Sequence, residues 1–417
     1  MTETDAERIR VARLARGLTQ AGLAARLAVS AGRAATDSPG RNQVYRWENG
    51  RRCPTMWRPH LERVLGITLL GYRGEPARLA GIYQIEPPEE MPVDRRQFIA
   101  ATTLAGVAAS SPATAKGRRL GRSDVERART RLADLRRLDD YSGGAAVYPL
   151  AVREIGALAA LAASGAYTED VGRQLVGGLG ELYQFAAWTA FDAGRGDQAR
   201  RLALAAANAA GQAGDRTLGA TALSELSYLT ASSTAPAEGV AMARASMARA
   251  RDAIPAVRVV LADRLAWASA RVGDAEGAAR ALGAAQEAHD RRDDAADDEP
   301  DTVYWINRDE SMIMTGRVWS ELGRHDRSAA VFEELTAPYD DTHAREMSLL
   351  HCWLAGARLG MGEIEGAAAS AGRAAELAAQ TASPRTDAMI TAALGAFEAH
   401  RDTPAVAELL DTWHAPV

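Results

Sequence analysis

The chain has 417 residues, a formal net charge of −5 and two cysteines. That length calls for two or more domains, and Cys53 and Cys352 are too few and too far apart in sequence for a disulfide framework or a metal site. Hydrophobic residues make up 47% of the chain but aromatics only 6%, so alanine and leucine must do the packing, which favours helices meeting at small residues. Lys116 is the only lysine beside 48 arginines among the 49 basic residues; with the alanine bias, this points to a high-GC bacterial genome.

Ile9, Leu14 and Leu18 form an apolar stripe that predicts a first helix over about residues 7–16, stopped by Gly17. Thr19 is placed to cap a second helix, its hydroxyl accepting from an orphan backbone N–H. Leu23, Ala24 and Leu27 are the buried face of that helix. Gln20 stands at its N-terminus, where an amide and backbone N–H groups suit a phosphate. In a third helix Val44 and Trp47 lie three apart and face the core, which leaves Asn42, Gln43 and Arg46 facing outward. Those types suit the edges of bases in a major groove: amides pair with adenine and guanidinium with guanine. Gly50 ends the helix, and Arg41, Arg51 and Arg52 are expected phosphate contacts. Residues 1–73 hold 13 arginines against 6 acidic residues, a surplus of seven positive charges that leaves the remainder at −12. A basic head on an acidic body is the asymmetry expected of a nucleic-acid-binding domain joined to a separate module.

Leu18-Thr-Gln with Leu23-Ala-x-x-Leu27, followed by Val44-Tyr-Arg-Trp-Glu-Asn-Gly50 and Pro54, resembles the Xre/Cro family of transcriptional regulators. The resemblance implies a helix-turn-helix head that binds double-stranded DNA. Gln20 and Trp47 are 27 residues apart, more than the family's usual spacing. The surplus lies in Ser30–Gly40, rich in Ala, Gly, Ser and Pro, and reads as a lengthened turn. The competing reading is an alanine-rich helical hairpin with a chance Trp-Glu-x-Gly.

Pro76, Pro87, Pro88 and Pro92 mark an interdomain linker, taken as residues 74–122. Within it Asp94-Arg-Arg-Gln-Phe-Ile-Ala100, an apolar stretch to Ala109 and Ala113-Thr-Ala115 resemble a twin-arginine export signal. Its internal position favours a short apolar helix that docks on the next domain or pairs in a dimer. Internal Arg-Arg-x-Phe segments also fit actinobacterial regulators of this resemblance. Translation from an internal start near Met91 would instead give an exported helical-repeat protein.

Residues 123–417 read as helices broken by short Gly/Asp turns. Ala193-Gly-Arg-Gly-Asp-Gln-Ala199, Val272-Gly-Asp-Ala-Glu-Gly-Ala278, Leu322-Gly-Arg-His-Asp-Arg-Ser-Ala329 and Leu359-Gly-Met-Gly-Glu-Ile-Glu-Gly-Ala367 share one pattern. A helix ends on Gly, an acid helps start the next, and the inner face of that next helix begins with Ala. This is the unit of a tetratricopeptide-like array. Second helices are expected near residues 197, 237, 275, 325, 363 and 404, at intervals longer than the usual repeat of about 34. The widest interval holds Asp290–Asp301, a charge cluster expected to be a solvated loop. Residues 123–163 supply two further helices, a cap or dimerisation element.

The predicted class is therefore all-α: a helix-turn-helix domain over 1–73 and a C-terminal α-solenoid. Stacked pairs leave a concave groove lined by first helices. Tyr183, Trp188, Tyr228, Arg264, Trp267, Trp305, Asn307, Glu310, Trp319, His351 and Trp353 are assigned to those helices. From these, Tyr228, Arg264, Trp267, Trp305, Asn307 and Glu310 are the expected effector site for a peptide or small molecule; packing between helices is the other role open to the aromatics. Tyr304-Trp-Ile-Asn-Arg-Asp-Glu310 with Leu322-Gly-Arg324 also resembles the repeat region of those actinobacterial regulators. No phosphate loop, Gly-x-Ser-x-Gly, His-Glu-x-x-His or Cys-x-x-Cys occurs, so no catalytic residue, cofactor or metal is expected. No apolar run reaches the roughly 18–20 residues of a membrane span. The expectation is a cytoplasmic, homodimeric regulator; the alternative is a tetratricopeptide scaffold whose head does not bind DNA.

Overall fold

The structure is a computed structural model and describes residues 5–31, 40–48, 57–69, 118–233, 235–293, 299–336, 344–379 and 383–414. The twin-arginine-like segment, Arg51, Arg52, Cys53 and most of the Ser30–Gly40 stretch lie outside the described residues. Among the described residues all regular structure is helical, apart from one isolated bridge between Arg119 and Ala166. The all-α expectation therefore holds.

The first four helices are α1 (Asp5–Ala15), α2 (Gln20–Ser30), α3 (Gly40–Glu48) and α4 (Arg58–Leu65). Gly17, at φ 63°, ends the first turn region in a conformation that glycine adopts without strain. The Thr19 hydroxyl accepts from the Gly22 amide at 2.9 Å and caps α2. Ile9, Leu23, Leu27, Val44, Trp47, Trp57, Leu61 and Leu65 form one buried cluster. Leu14 departs from expectation: it is 57% exposed. Five residues from Ile9, it is turned about 140° away on a 3.6-residue helix. Arg13 takes the inward place instead and is 8% exposed.

Part of the span assigned to the linker belongs to the body, since Leu120 packs in its core. Next come α5 (Arg122–Ser142) and α6 (Gly144–Ser164). Six pairs follow: α7 (Glu169–Asp192) with α8 (Gly196–Ala213), α9 (Arg216–Ala231) with α10 (Pro236–Arg249), α11 (Pro255–Arg271) with α12 (Ala275–Asp293), α13 (Arg308–Glu321) with α14 (His325–Thr336), α15 (Ala344–Gly360) with α16 (Ile364–Ala378), and α17 (Pro384–Phe397) with α18 (Pro404–His414). The second helices start within one residue of the positions the turn pattern predicts. Each first helix also packs on the first helix of the next pair, from α7 through α17.

Four of the turns are built identically. Gly194, Gly273, Gly323 and Gly362 all have φ between 69° and 79°. The residue after each glycine donates its N–H to a carbonyl five residues back: Arg195 to Ala190 (2.8 Å), Asp274 to Ser269 (2.9 Å), Arg324 to Trp319 (2.8 Å) and Glu363 to Arg358 (3.0 Å). This is the Schellman closure, which satisfies carbonyls left over at a helix end and needs glycine at the left-handed position. The alanines that open the inner faces, Ala199, Ala278, Ala329 and Ala367, are all buried. Any larger side chain there would push the paired helices apart.

One sequence expectation needs amending. α6 is long and apolar enough, by length and composition, to cross a membrane, with mean hydropathy 1.4. Its alanines and leucines carry the average past Arg153 and Glu154. Here it packs between α5 and α7, burying Val147, Tyr148, Leu150, Ala151 and Leu158.

The last helix pairs return to the first helices. Asp192, at the end of α7, is 3% exposed and faces Arg345 of α15 at 3.3 Å and Arg385 of α17 at 3.5 Å. It also accepts from the Gly144 amide at 2.9 Å. Arg136 and Arg137 of α5 hold Asp301 at 2.9 Å and 2.5 Å. These contacts tie α7 to α15 and α17, and α5 to the segment before α13, and a cavity lies among them.

Candidate functional site

On the head, Glu48 at the end of α3 is the fixed point. It is 6% exposed, and Arg13 of α1 grips it with Nε on one oxygen and Nη2 on the other, the latter at 3.0 Å. Arg13 also reaches the Leu18 carbonyl at 2.6 Å. Gln20, the first residue of α2, donates its Nε2 to Glu48 at 2.8 Å. The start of α2 and the end of α3 are thus held to one buried carboxylate. A buried pair of this kind fixes geometry more than it adds stability, because desolvating both ions offsets most of their attraction.

Gln20, the expected phosphate contact at the start of α2, has its amide nitrogen on Glu48, which leaves the backbone N–H groups of the helix start for that role. On α3, Val44 and Trp47 are buried as the spacing required, Arg41 is exposed and Gln43 is partly buried. Asn42 and Arg46 lie on the same helix, but their side chains fall outside the described residues, as do Arg51 and Arg52.

The body holds a cavity of about 250 Å³ on the side of the first helices. Of the residues expected in the effector groove, Tyr228, Arg264, Trp305 and Glu310 line it, joined by Trp188 and Trp353. Two do not belong to its wall. Asn307 caps α13, its side chain accepting from the Glu310 amide at 2.8 Å; it has a structural reason for its place that the sequence reading missed. Trp267 is 8% exposed and donates its Nε1 to Ser232 at 3.0 Å. Trp305 is in the cavity but not on a first helix, since it precedes α13. Tyr183, Trp319 and His351 lie on first helices as expected but do not line the cavity. The charge cluster is also less loose than expected: Arg292 pairs with Glu299 at 2.6 Å, Arg308 with Asp290 at 3.0 Å, and Asp301 docks on α5.

Beyond Arg264 and Glu310, the charged residues of the wall, among them Arg317, Arg385, Glu225 and Asp263, were not found from the sequence. Arg317 donates Nη1 to the Tyr228 hydroxyl at 3.1 Å. Its guanidinium carbon is 4.4 Å from the Trp267 ring centroid, 4.9 Å from Trp353 and 5.5 Å from Tyr228. Arg264 lies 4.0 Å over Tyr228, 5.7 Å from Trp305 and 5.9 Å from Trp188. Cation–π contacts of this kind contribute roughly 0.5–2 kcal/mol each, less than the several kcal/mol it costs to desolvate an ion. Burial alone would raise the Tyr228 hydroxyl, but the charges of Arg317, Arg385 and Arg264 outweigh it and bring it down to about 7.

Acidic side chains share the wall. Burial pushes Glu225 up to about 8 and Asp263 up to about 7, against the opposing pull of Arg264 on both. Asp263 accepts from Ser311 at 2.6 Å, and Ser311 meets His289 at 2.9 Å. Burial also lifts Asp139 to about 6 and Asp140 to about 7, Arg345 opposing the first and the Tyr304 hydroxyl, at 2.6 Å, opposing the second. The cavity wall therefore combines arginines and aromatic rings with buried carboxyls that are partly neutral near pH 7. Comparison with models of known protein families and with curated proteins returns no match.

Proposed function

We propose that this chain is a DNA-binding transcriptional regulator of the Xre/Cro type. In this reading α2 and α3 are a helix-turn-helix, and the paired helices are a tetratricopeptide-like solenoid that senses a small ligand. The observation that carries it is the clamp on Glu48. It fixes α3 against a Thr19-capped α2 in an arginine-rich unit, with Val44 and Trp47 inward and Arg41 outward. Such a helix is rigid enough to present Asn42, Gln43 and Arg46 to base edges, while Arg41, Arg51 and Arg52 neutralise phosphates. Two copies would read half-sites about 34–36 Å apart. A ligand in the body shifts the arrangement of the heads only so far as it prefers one arrangement over the other. The protein works in the cytoplasm, where its DNA is.

A mobility shift with the full chain and its own promoter region tests this. Binding should weaken steeply with salt, and Gln43→Ala with Arg46→Ala should abolish sequence preference. Unchanged binding by the double variant would remove α3 from the reading role.

Val11, Leu14, Val29 and Tyr45 on the head are 39–80% exposed, which favours a second reading in which the head docks on protein. Absence of DNA affinity even at low salt would select it.

A further inference from the structure

Trp188, Trp267 and Arg317 occupy one repeat position: each stands six residues before a left-handed glycine, Gly194, Gly273 and Gly323. Two of those first helices place an indole there, which packs. α13 places a guanidinium there instead, beside the Tyr228 hydroxyl. Neither Arg317 nor Arg264 makes an ion pair with a carboxylate among the described residues, whereas Arg345 and Arg385 are both answered by Asp192. Glu225 and Asp263 are close enough to act on Arg264, but burial holds both carboxyls near or above neutrality in their titration. Two guanidinium groups thus converge on one phenol with positive charge to spare. In the same wall, Glu225 Oε1 and Asp263 Oδ1 are buried acceptors with no hydrogen-bond partner.

We propose that this cavity is the receptor site for a small aromatic or planar organic anion. Its acidic group, a carboxylate or a phosphate, rests on Arg264, Arg317 and the Tyr228 hydroxyl, and its flat body lies against Trp188, Trp305 and Trp353. A hydroxyl or amine elsewhere on the ligand answers Glu225 and Asp263. The chemistry follows from complementarity: a buried cation needs a negative partner, guanidinium forks hold carboxylate and phosphate oxygens, and indole faces hold planar groups. At about 250 Å³ the space falls below the roughly 300–1,000 Å³ of drug-sized pockets, so the ligand is metabolite-sized and not a folded domain. The inference rests on the reading of the body as a sensor for its consequence, but not for its measurement.

The test is direct binding to the full chain without DNA, followed by tryptophan fluorescence and by phenolate absorption. Phenylacetate and phenyl phosphate are the anionic probes and benzyl alcohol the neutral counterpart. At least one anion should bind saturably and at least tenfold more tightly than benzyl alcohol, and should diminish the phenolate band as it displaces the charge Tyr228 supplies. The two anions distinguish a carboxylate site from a phosphate site. Arg317→Gln and Arg264→Gln should each weaken that anion at least tenfold, with recovery in Arg264→Lys. Equal binding of anion and alcohol, or saturable binding of none, overturns the proposal; this comparison needs only the unaltered protein. Failure here with DNA binding intact would leave the head's assignment standing, and the reverse result would leave the cavity's.

Discussion

Arg317 donates a hydrogen bond of 3.1 Å to the hydroxyl of Tyr228, a residue 89 positions earlier in the chain. Arg264 lies 4.0 Å over the same ring. One phenol therefore sits between two guanidinium groups, and its ionisation reports on both.

Tyr228 should titrate near pH 7, well ahead of Tyr148, Tyr183 and Tyr304, which burial raises. Its folded pKa is lowered from 10.0 to about 7 because the arginine charges outweigh burial. The unfolded chain binds the proton more tightly between those values, so the group adds stability as pH rises from about 7 to about 10. Ultraviolet titration should show one phenolate at pH 8, missing in Tyr228→Phe and lost in Arg317→Gln. A spectrum unchanged by either variant would contradict the geometry.

Glu225 works in the opposite sense. Burial raises its folded pKa from 4.5 to about 8, so the folded state keeps a proton that the unfolded state releases. Its contribution is fully present below about 4.5 and is lost as pH rises through about 8. Glu225→Gln should flatten the dependence of melting temperature on pH across that window. Parallel curves for variant and parent would refute the assignment.

How much of this was written locally in the sequence differs by feature. The turns at Gly194, Gly273, Gly323 and Gly362 were readable because a left-handed closure is set by adjacent residues. Asp263 and Arg264 interrupt the apolar run of Val259–Trp267, and Glu225 interrupts that of Ala220–Leu229, so charge inside an otherwise buried helix was an available signal. Arg317 had a fainter one: it stands six residues before Gly323, where Trp188 and Trp267 stand before Gly194 and Gly273, so an arginine at the place of an inward indole was a signal visible only once the turns were aligned. Asn307 was misread because a capping residue and a ligand-binding one look alike without the helix start. The tie between Asp192 and Arg345 spans 153 residues, and only the curvature of the whole array brings them together.

Glu48→Ala should destabilise the head by about 3–5 kcal/mol, because it leaves Arg13 buried without its partner. Denaturant unfolding of the full chain, followed by tryptophan fluorescence, should show an early transition for the head while the helical signal of the body persists. A single unchanged transition would show that the clamp on α3 is dispensable.

Asp192→Asn should loosen the closure of the array, since it weakens the hold on Arg345 and Arg385 together. Amide hydrogen exchange should quicken in α15 and α17 and stay unchanged in α9–α12. Uniform protection across all of them would mean that the ends are held by packing alone.

The central claim is that α3 reads DNA, and selection of genomic DNA fragments by the full chain tests it most directly. The account predicts that a small set of sequences is enriched, that binding falls steeply with salt, that Arg41→Ala lowers affinity across all sequences and the salt slope by about one, and that Gln43→Ala with Arg46→Ala loses the enrichment. Failure to retain any DNA at low salt, or the same enrichment from the double variant, would contradict it.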